Sequence, residues 1–202
     1  MRLRFSFLSG IIFAGFMALS FYQVTPLKTG TKMPKGFSRL KEVNNQYLIL
    51  KDVYKENGLC VIFSSNTCPF VTSYESRYNT IYDLCQKNKI GMLVVNSNEA
   101  KRTGDDSYKE MQKHAKEKGY KFYYAEDKSS KLADAFNAQT TPEAFLFDNM
   151  QLLKYRGAID DNSKTELVKV NYLQDAIKSM IAKKTITTKE TKATGCSIKR
   201  VK

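Results

Sequence analysis

Four cysteines carry the most reactive side chains of this chain, and their surroundings divide them. Cys68 sits in Ser64-Ser65-Asn66-Thr67-Cys68-Pro69, a polar break between an apolar run and a helical pattern. A helix N-terminus exposes unpaired N–H groups and a partial positive charge. Both stabilise a thiolate, so a thiol placed there is made reactive. Cys60 lies inside Leu59-Cys60-Val61-Ile62-Phe63, and Cys85 lies on the apolar stripe of the next helix; both read as core thiols.

A dithiol exchange site would need a cysteine three residues before Cys68, and that residue is Ser65. A serine can donate a hydrogen bond to a thiolate but cannot form a disulfide. Two routes stay open. Cys68 acts alone through a sulfenic acid or a mixed disulfide, or a distant cysteine resolves it. Cys196, in Gly195-Cys196-Ser197-Ile198-Lys199-Arg200, is the candidate resolver, with Lys199 and Arg200 placed to favour its thiolate. The alternative for Cys196 is an unpaired tail thiol.

Thr141-Pro142 precedes a strand and reads as a turn. Set against the cysteine loop in the cis form, it would leave the preceding carbonyl and N–H open to an extended, thiol-bearing peptide. Thr67 and Pro69, flanking Cys68, and Thr141 and Pro142 opposite are therefore the expected substrate contacts. Arg156, ending a strand before Gly157, is the expected site arginine, with Arg77 on the helix a weaker candidate that could face solvent. Asp160 and Asp161 lack paired metal ligands, and the single His114 lies among lysines. The residues predict neither a metal or other cofactor nor a histidine-based triad.

The elements that must position these groups follow from periodicity. Leu59–Phe63 is a continuous apolar run of the kind found in a strand covered on both faces. Pro69 suits a first helical turn, and Val71, Tyr74, Tyr78, Ile81 and Cys85 return at helical spacing to about Asn88. Ile90–Val95 is the next strand, after a loop comes a helix capped by Asp105 or Asp106 that runs to about Lys118, and Phe122–Tyr124 is a strand. Ser129–Phe136 is a short helix, Ala144–Phe147 and Leu152–Arg156 form a hairpin about Asp148-Asn149, and a helix runs from about Lys164 to Ala182. This alternation predicts an α/β fold, a central mixed sheet flanked by helices, with loops at strand C-termini forming the site.

The stretch Phe63-Ser64-Ser65-Asn66-Thr67-Cys68-Pro69-Phe70-Val71 resembles the thioredoxin-like redoxins grouped with the alkyl hydroperoxide reductase and thiol-specific antioxidant family. It is most similar to a bacterial branch whose site reads Cys-Asn-x-Cys-Pro-Tyr-Val. Asn98-Glu99-Ala100, Thr141-Pro142, Phe145-Leu146-Phe147-Asp148, Tyr155–Asp161 and Gly195–Lys199 extend the likeness, which runs from about Pro34 to Lys202. The resemblance implies a thioredoxin-like fold, a cis Pro142 beside the site, and residues 65 and 68 as the two cysteine positions. Ser65 departs from that pattern at the usual attacking position. Serine three residues before the cysteine also fits peroxiredoxins, although their upstream proline is Val61 here. The implied function is a thiol oxidoreductase acting on peroxides or mixed disulfides, with protein or small-molecule thiols and an external thiol reductant as partners. The alternative is a catalytically weakened thioredoxin fold that binds or chaperones exported proteins.

Met1-Arg2-Leu3-Arg4 followed by an apolar stretch to about Tyr22 reads as a secretory signal or an uncleaved anchor over 1–22, ahead of a linker over 23–40. The domain spans 41–184, and 185–202 is a basic tail holding Cys196. Export would place the chain in the bacterial periplasm or on the outer face of the inner membrane, where disulfides persist. The formal charge is +13, and residues 183–202 hold seven basic residues against Glu190. Such a balance suits contact with an anionic membrane through the N-terminus or the tail. No groove-reading motif accompanies it, so nucleic acid is not an expected partner.

Overall fold

The computed structural model describes residues 27–35 and 39–201. The expected signal or anchor lies outside them. Among the described residues, no helix is long and apolar enough to cross a membrane.

The elements in chain order are β1 (Leu40–Glu42), β2 (Tyr47–Leu48), α1 (Leu50–Val53), β3 (Gly58–Ser64), α2 (Pro69–Lys87), β4 (Ile90–Asn96), α3 (Tyr108–Glu117) and β5 (Tyr123–Glu126). They continue with α4 (Lys131–Phe136), β6 (Thr140–Thr141), β7 (Glu143–Phe147), β8 (Leu153–Gly157), α5 (Tyr172–Ile181) and β9 (Cys196–Ser197). Seven strands form one mixed sheet in the order β2-β1-β5-β4-β3-β7-β8. The central β3 runs parallel to β4 and antiparallel to β7. β6 and β9 pair separately beside it.

β3 shows why this chain makes a layered sheet. All seven of its residues are buried, and successive side chains alternate between faces. Cys60 and Ile62 join Tyr74, Tyr78, Ile81, Met111, Leu173 and Ile177 on the α2–α3–α5 side. Leu59, Val61 and Phe63 join Leu50, Val53, Leu132, Phe136 and Ile198 on the α1–α4 side. On that side Phe63, Phe136 and Phe145 meet edge to face, with ring centres 5.3–5.6 Å apart. Each fully buried side chain of this size contributes about 2 kcal/mol.

α2 starts at Pro69, whose missing N–H costs nothing in the first turn. It buries Val71, Tyr74, Tyr78, Ile81 and Cys85, spaced three or four apart, and ends where Asn88 donates to Cys85 O and Lys89 turns to positive φ. Cys60 and Cys85 meet in this core. The Cys85 contact and burial together push the Cys60 thiol well up, so neither the position nor the chemistry suits catalysis.

The structure departs from the expected elements in four places. The last helix starts at Tyr172, because residues 160–170 close on themselves: Asp161 N donates to Val170 O, and Asp161 Oδ1 accepts from Lys169 N. Ser107 caps α3 by accepting from Glu110 N, while Asp106 is wholly buried in a separate network. The stretch expected to be a linker pairs with the start of β8 and the turn before it: Gly30 N donates to Leu153 O and Met33 N to Gln151 O. The stretch expected to be a tail is a strap laid over the domain. Ile186 and Ile198 are buried, Glu190 bridges from Arg156, and Thr191 Oγ1 meets the Tyr155 hydroxyl. Two isoleucines, Ile186 and Ile198, in an otherwise polar and basic segment are what seat it.

Candidate active site

Cys68 caps α2 with an extended backbone, φ −74° and ψ 121°. The loop leading to it is tied down on the far side. Asn66 N donates to Asp106 Oδ1 at 2.8 Å, Asn66 Nδ2 donates to Asp105 O at 2.8 Å, and the Tyr124 hydroxyl donates to Asn66 Oδ1 at 2.8 Å. Ser64, at the end of β3, meets the Tyr78 hydroxyl of α2 at 3.2 Å. Strand end, loop and helix start are thus held as one unit beneath the sulfur.

Across from that unit stands the Thr141–Pro142 peptide, in the cis form that the resemblance implies. The Cys68 thiol lies 3.1 Å from the Thr141 carbonyl oxygen. Strand β9 lies antiparallel to β6, with Cys196 opposite Thr141. The pairing carries the Cys196 sulfur to 2.6 Å from that of Cys68, although 128 positions separate them in sequence. Close approach here needs glycine at 195: a Cβ there would fall 2.1 Å from Thr141 O.

The two thiols are driven apart in acidity. Burial opposes ionisation of Cys68. The hydrogen bond from Cys196 and the backbone N–H groups of Val71 and Cys196 outweigh it and hold the thiol below its ordinary range. Cys196 is pushed up to about 11, by burial first and then by its contact with Cys68. The pair therefore shares its protons as a unit, with the first charge resting on Cys68. The expected help to a Cys196 thiolate from Arg200 is absent, since Arg200 turns away to Asp134 at 2.7 Å; Lys199 acts only weakly.

The remaining expected site residues divide. Thr67 and Pro69 are exposed beside Cys68, and Phe70 next to them is 36 % exposed. Thr141 and Pro142 are buried against the pair. Ser65 is buried, but its hydroxyl has no hydrogen-bond partner among the described residues, so it does not hold the Cys68 sulfur as expected. Arg156 is not at the site either. It lies on the outer edge of β8, its backbone pairs with Lys189 and Thr191, and its guanidinium sits 3.7 Å from Glu190. Arg77 is buried and clamps the 160–165 loop, reaching Asp160 at 2.6 Å, the carbonyls of Asn162 and Ser163, and the Thr165 hydroxyl. No group of acidic, cysteine or histidine side chains among the described residues could hold a metal ion.

Sequence reasoning placed Asn98 only in the family likeness and Asp106 only as a candidate helix cap, and missed that they brace the site. Asn98 Oδ1 accepts from Lys199 N at 2.9 Å, and Asn98 Nδ2 donates to Asp106 Oδ2 at 2.9 Å. One buried network thus braces both the Cys68 loop and the strap. Gly195 directly before Cys196 was the one local signal that the strap runs close to another backbone.

A sequence search of curated proteins returns no match. Among solved structures, an uncharacterized conserved protein from Geobacillus kaustophilus is 27 % identical, with a TM-score of 0.80 over 87 % of this chain and 93 % of that one. Peroxidoxin BcpB from Mycobacterium tuberculosis is 11 % identical, with a TM-score of 0.59 over 77 % of this chain and 97 % of that one. A putative thiol:disulfide interchange protein DsbE from Chlorobium tepidum is 14 % identical, with a TM-score of 0.58 over 78 % and 97 %. The last two establish the thioredoxin-like fold. The AhpC/TSA family model matches residues 29–156, and with the fold and the placement of Cys68 the chain belongs to the AhpC/TSA family.

Proposed function

We propose that this redoxin is a thiol–disulfide oxidoreductase in which Cys68 attacks and Cys196 resolves. The observation that carries the reading is the placement of the two sulfurs 2.6 Å apart, with the lowered thiol at the helix cap and the raised one on the strap. The Cys68 thiolate attacks one sulfur of a substrate disulfide. A mixed disulfide forms, and the other half departs as a thiolate that takes up a proton. Cys196 then gives up its proton and attacks the Cys68 sulfur. The Cys68–Cys196 bond forms and the second half leaves as a thiol. Two electrons pass from the pair to the substrate, and an external thiol restores the dithiol. The lower pKa of Cys68 suits it both to ionise first and to leave when the pair is reduced.

A peroxide substrate is the second reading, favoured by the family. The same pair would pass from a Cys68 sulfenic acid to the disulfide with release of water. The two arginines best placed in sequence to polarise a peroxide are both engaged elsewhere, which favours disulfides. The reading includes export, on the strength of the basic start and apolar run of residues 1–22, into a compartment where disulfide substrates persist.

Mass mapping of reduced protein treated with oxidised glutathione tests the proposal. The expected products are a Cys68–Cys196 crosslinked peptide in the native chain and a glutathione adduct on Cys68 in Cys196→Ser. An unmodified Cys68 in both would overturn it. Reaction with hydrogen peroxide but not with oxidised glutathione would favour the second reading.

A further inference from the structure

The edge of β6 beside Cys68 is the place where an extended polypeptide could add by backbone hydrogen bonding and present its own cysteine. That edge is occupied. Thr140 is opposite Ser197 and Thr141 is opposite Cys196, so β9 of this same chain already fills it. The strand is locked from both ends and from beneath. Gly195 lies against Thr141 O, Ile198 N donates to Gln139 O at 3.0 Å, and the Ile198 side chain is buried in the α1–α4 core. Beyond it, Ala100 N donates to Lys199 O at 2.8 Å, and Arg200 reaches both Asp134 and Ala138 O at 2.7 Å. Under this cover Cys68 is only 3 % exposed.

We propose that residues 195–200 form a selectivity strap which, by occupying the β6 edge, reserves Cys68 for low-molecular-weight disulfides and excludes polypeptide disulfides. The inference rests on Cys68 being the attacking thiol, as proposed above. A small disulfide needs one sulfur in line with Cys68 and no strand edge. A polypeptide needs the sulfur and the edge together, and must first displace β9. A cavity of about 400 Å³ reaches Phe70 and Thr194, each two residues from one of the thiols, with Tyr74 and Tyr172 also in its wall and the exposed Asp161 and Lys192 lining it. Asp160, which also lines the cavity, is already paired with Arg77. The exposed Asp161 carboxylate and the Lys192 ammonium are what the cavity offers beside its aromatic faces, a set that suits a zwitterionic, amino-acid-type disulfide. In the reaction the Cys68 thiolate bonds to one sulfur of that molecule, and the other half leaves as a thiolate.

Two variants that both lack the resolving thiol separate the strap from the chemistry. Cys196→Ser keeps the strap, and a chain ending at Thr194 removes it. A third, Gly195→Val with Cys196→Ser, keeps the full chain and forces the strand off Thr141 O. The rate of mixed-disulfide formation on Cys68 is read by mass spectrometry with two probes: cystine, and an unstructured peptide of about ten residues carrying one glutathionylated cysteine. The peptide-to-cystine rate ratio is expected to rise about tenfold in the truncated and Gly195→Val chains relative to Cys196→Ser, roughly the worth of one displaced backbone hydrogen bond. An unchanged ratio in both would overturn the strap. Reaction with neither probe in any variant would instead remove Cys68 as the attacking thiol, and the strap's role with it.

Discussion

The backbone N–H of Asn66, two residues before the reactive cysteine, donates to the buried carboxylate of Asp106 at 2.8 Å. The same carboxylate accepts from Asn96 at 2.6 Å and from Asn98 at 2.9 Å. Replacing it by alanine takes the acceptor from three N–H groups, the half-buried one of Asn66 and the buried ones of Asn96 and Asn98, each unmet donor costing about 1–3 kcal/mol. Asp106→Ala is therefore expected to lose about 3 kcal/mol or more of stability in urea titration. Because Asn98 also holds Lys199, Cys196 should become alkylated faster in folded protein. A variant as stable as the native chain would show that the network does not brace the loop.

The acidity of Cys68 leans on its neighbour. Burial raises its pKa, and the Cys196 contact is the largest effect lowering that pKa. Alkylation follows the thiolate, so its rate climbs as pH rises through the Cys68 pKa. In Cys196→Ala the lowering contact is gone, and the climb is expected to move to higher pH. Iodoacetamide rate against pH, read on the Cys68 peptide, measures it. A curve that stays in place would assign the lowering to the helix cap alone.

Arg77 and Asp160 form a buried ion pair, 2.6 Å apart with side chains 8 % and 2 % exposed. Removing the guanidinium strands the carboxylate in the core, a change that typically costs about 3–5 kcal/mol. Arg77→Leu is expected to fall in that range by denaturant melting, and Arg77→Leu with Asp160→Asn to recover part of it. The pH profile of Cys68 alkylation should be unchanged in the double variant, since this arginine clamps the 160–165 loop.

Arg156 gives the opposite contrast. Its partner Glu190 is 45 % exposed in the side chain at 3.7 Å, a pair worth no more than ~1 kcal/mol. Arg156→Ala should stay within that margin and turn over disulfides at the native rate. A loss of turnover without a loss of stability would return Arg156 to the site.

Acid stability has one identifiable contributor in Glu75. Burial raises its pKa, yet bonds from His114, Lys118 and Tyr120 bring it below the ordinary value of 4.5. A depressed carboxyl stabilises the fold above its unfolded pKa, and that stability fades as pH falls through the folded value. Asp127, Glu143 and Asp160 are raised, chiefly by burial, and slope the other way. The difference between native and Glu75→Gln isolates the effect: it should be constant above about pH 5 and shrink below that. A difference that does not vary with pH would remove Glu75 from the account.

The central framework was legible because local pattern and tertiary role agree there. Leu59–Phe63 is apolar on both faces because β3 is covered on both faces, and the Pro69 start with its three-four spacing reads directly as α2. Cys68 at the cap followed from the same logic, whereas Thr141-Pro142 read locally only as a turn and its place opposite the cysteine came from the family resemblance. What stayed hidden depends on partners far along the chain. Arg77 is buried because a loop more than eighty positions later offers it carbonyls. Asp106 resembled a cap residue, and its role came from Asn66, Asn96 and Asn98. The strap was masked by its lysines, which point outward while Ile186 and Ile198 hold it down.

The span of 128 positions between Cys68 and Cys196 bears on chain entropy. A covalent bond between them would gather β4 through β8 and the four helices α2 to α5 into a single ring, denying the unfolded chain most of its freedom. By loop length alone that is worth ~5 kcal/mol. The reduced and oxidised forms would then differ in resistance to heat as well as in chemistry, and a melting curve would report how many electrons the pair holds.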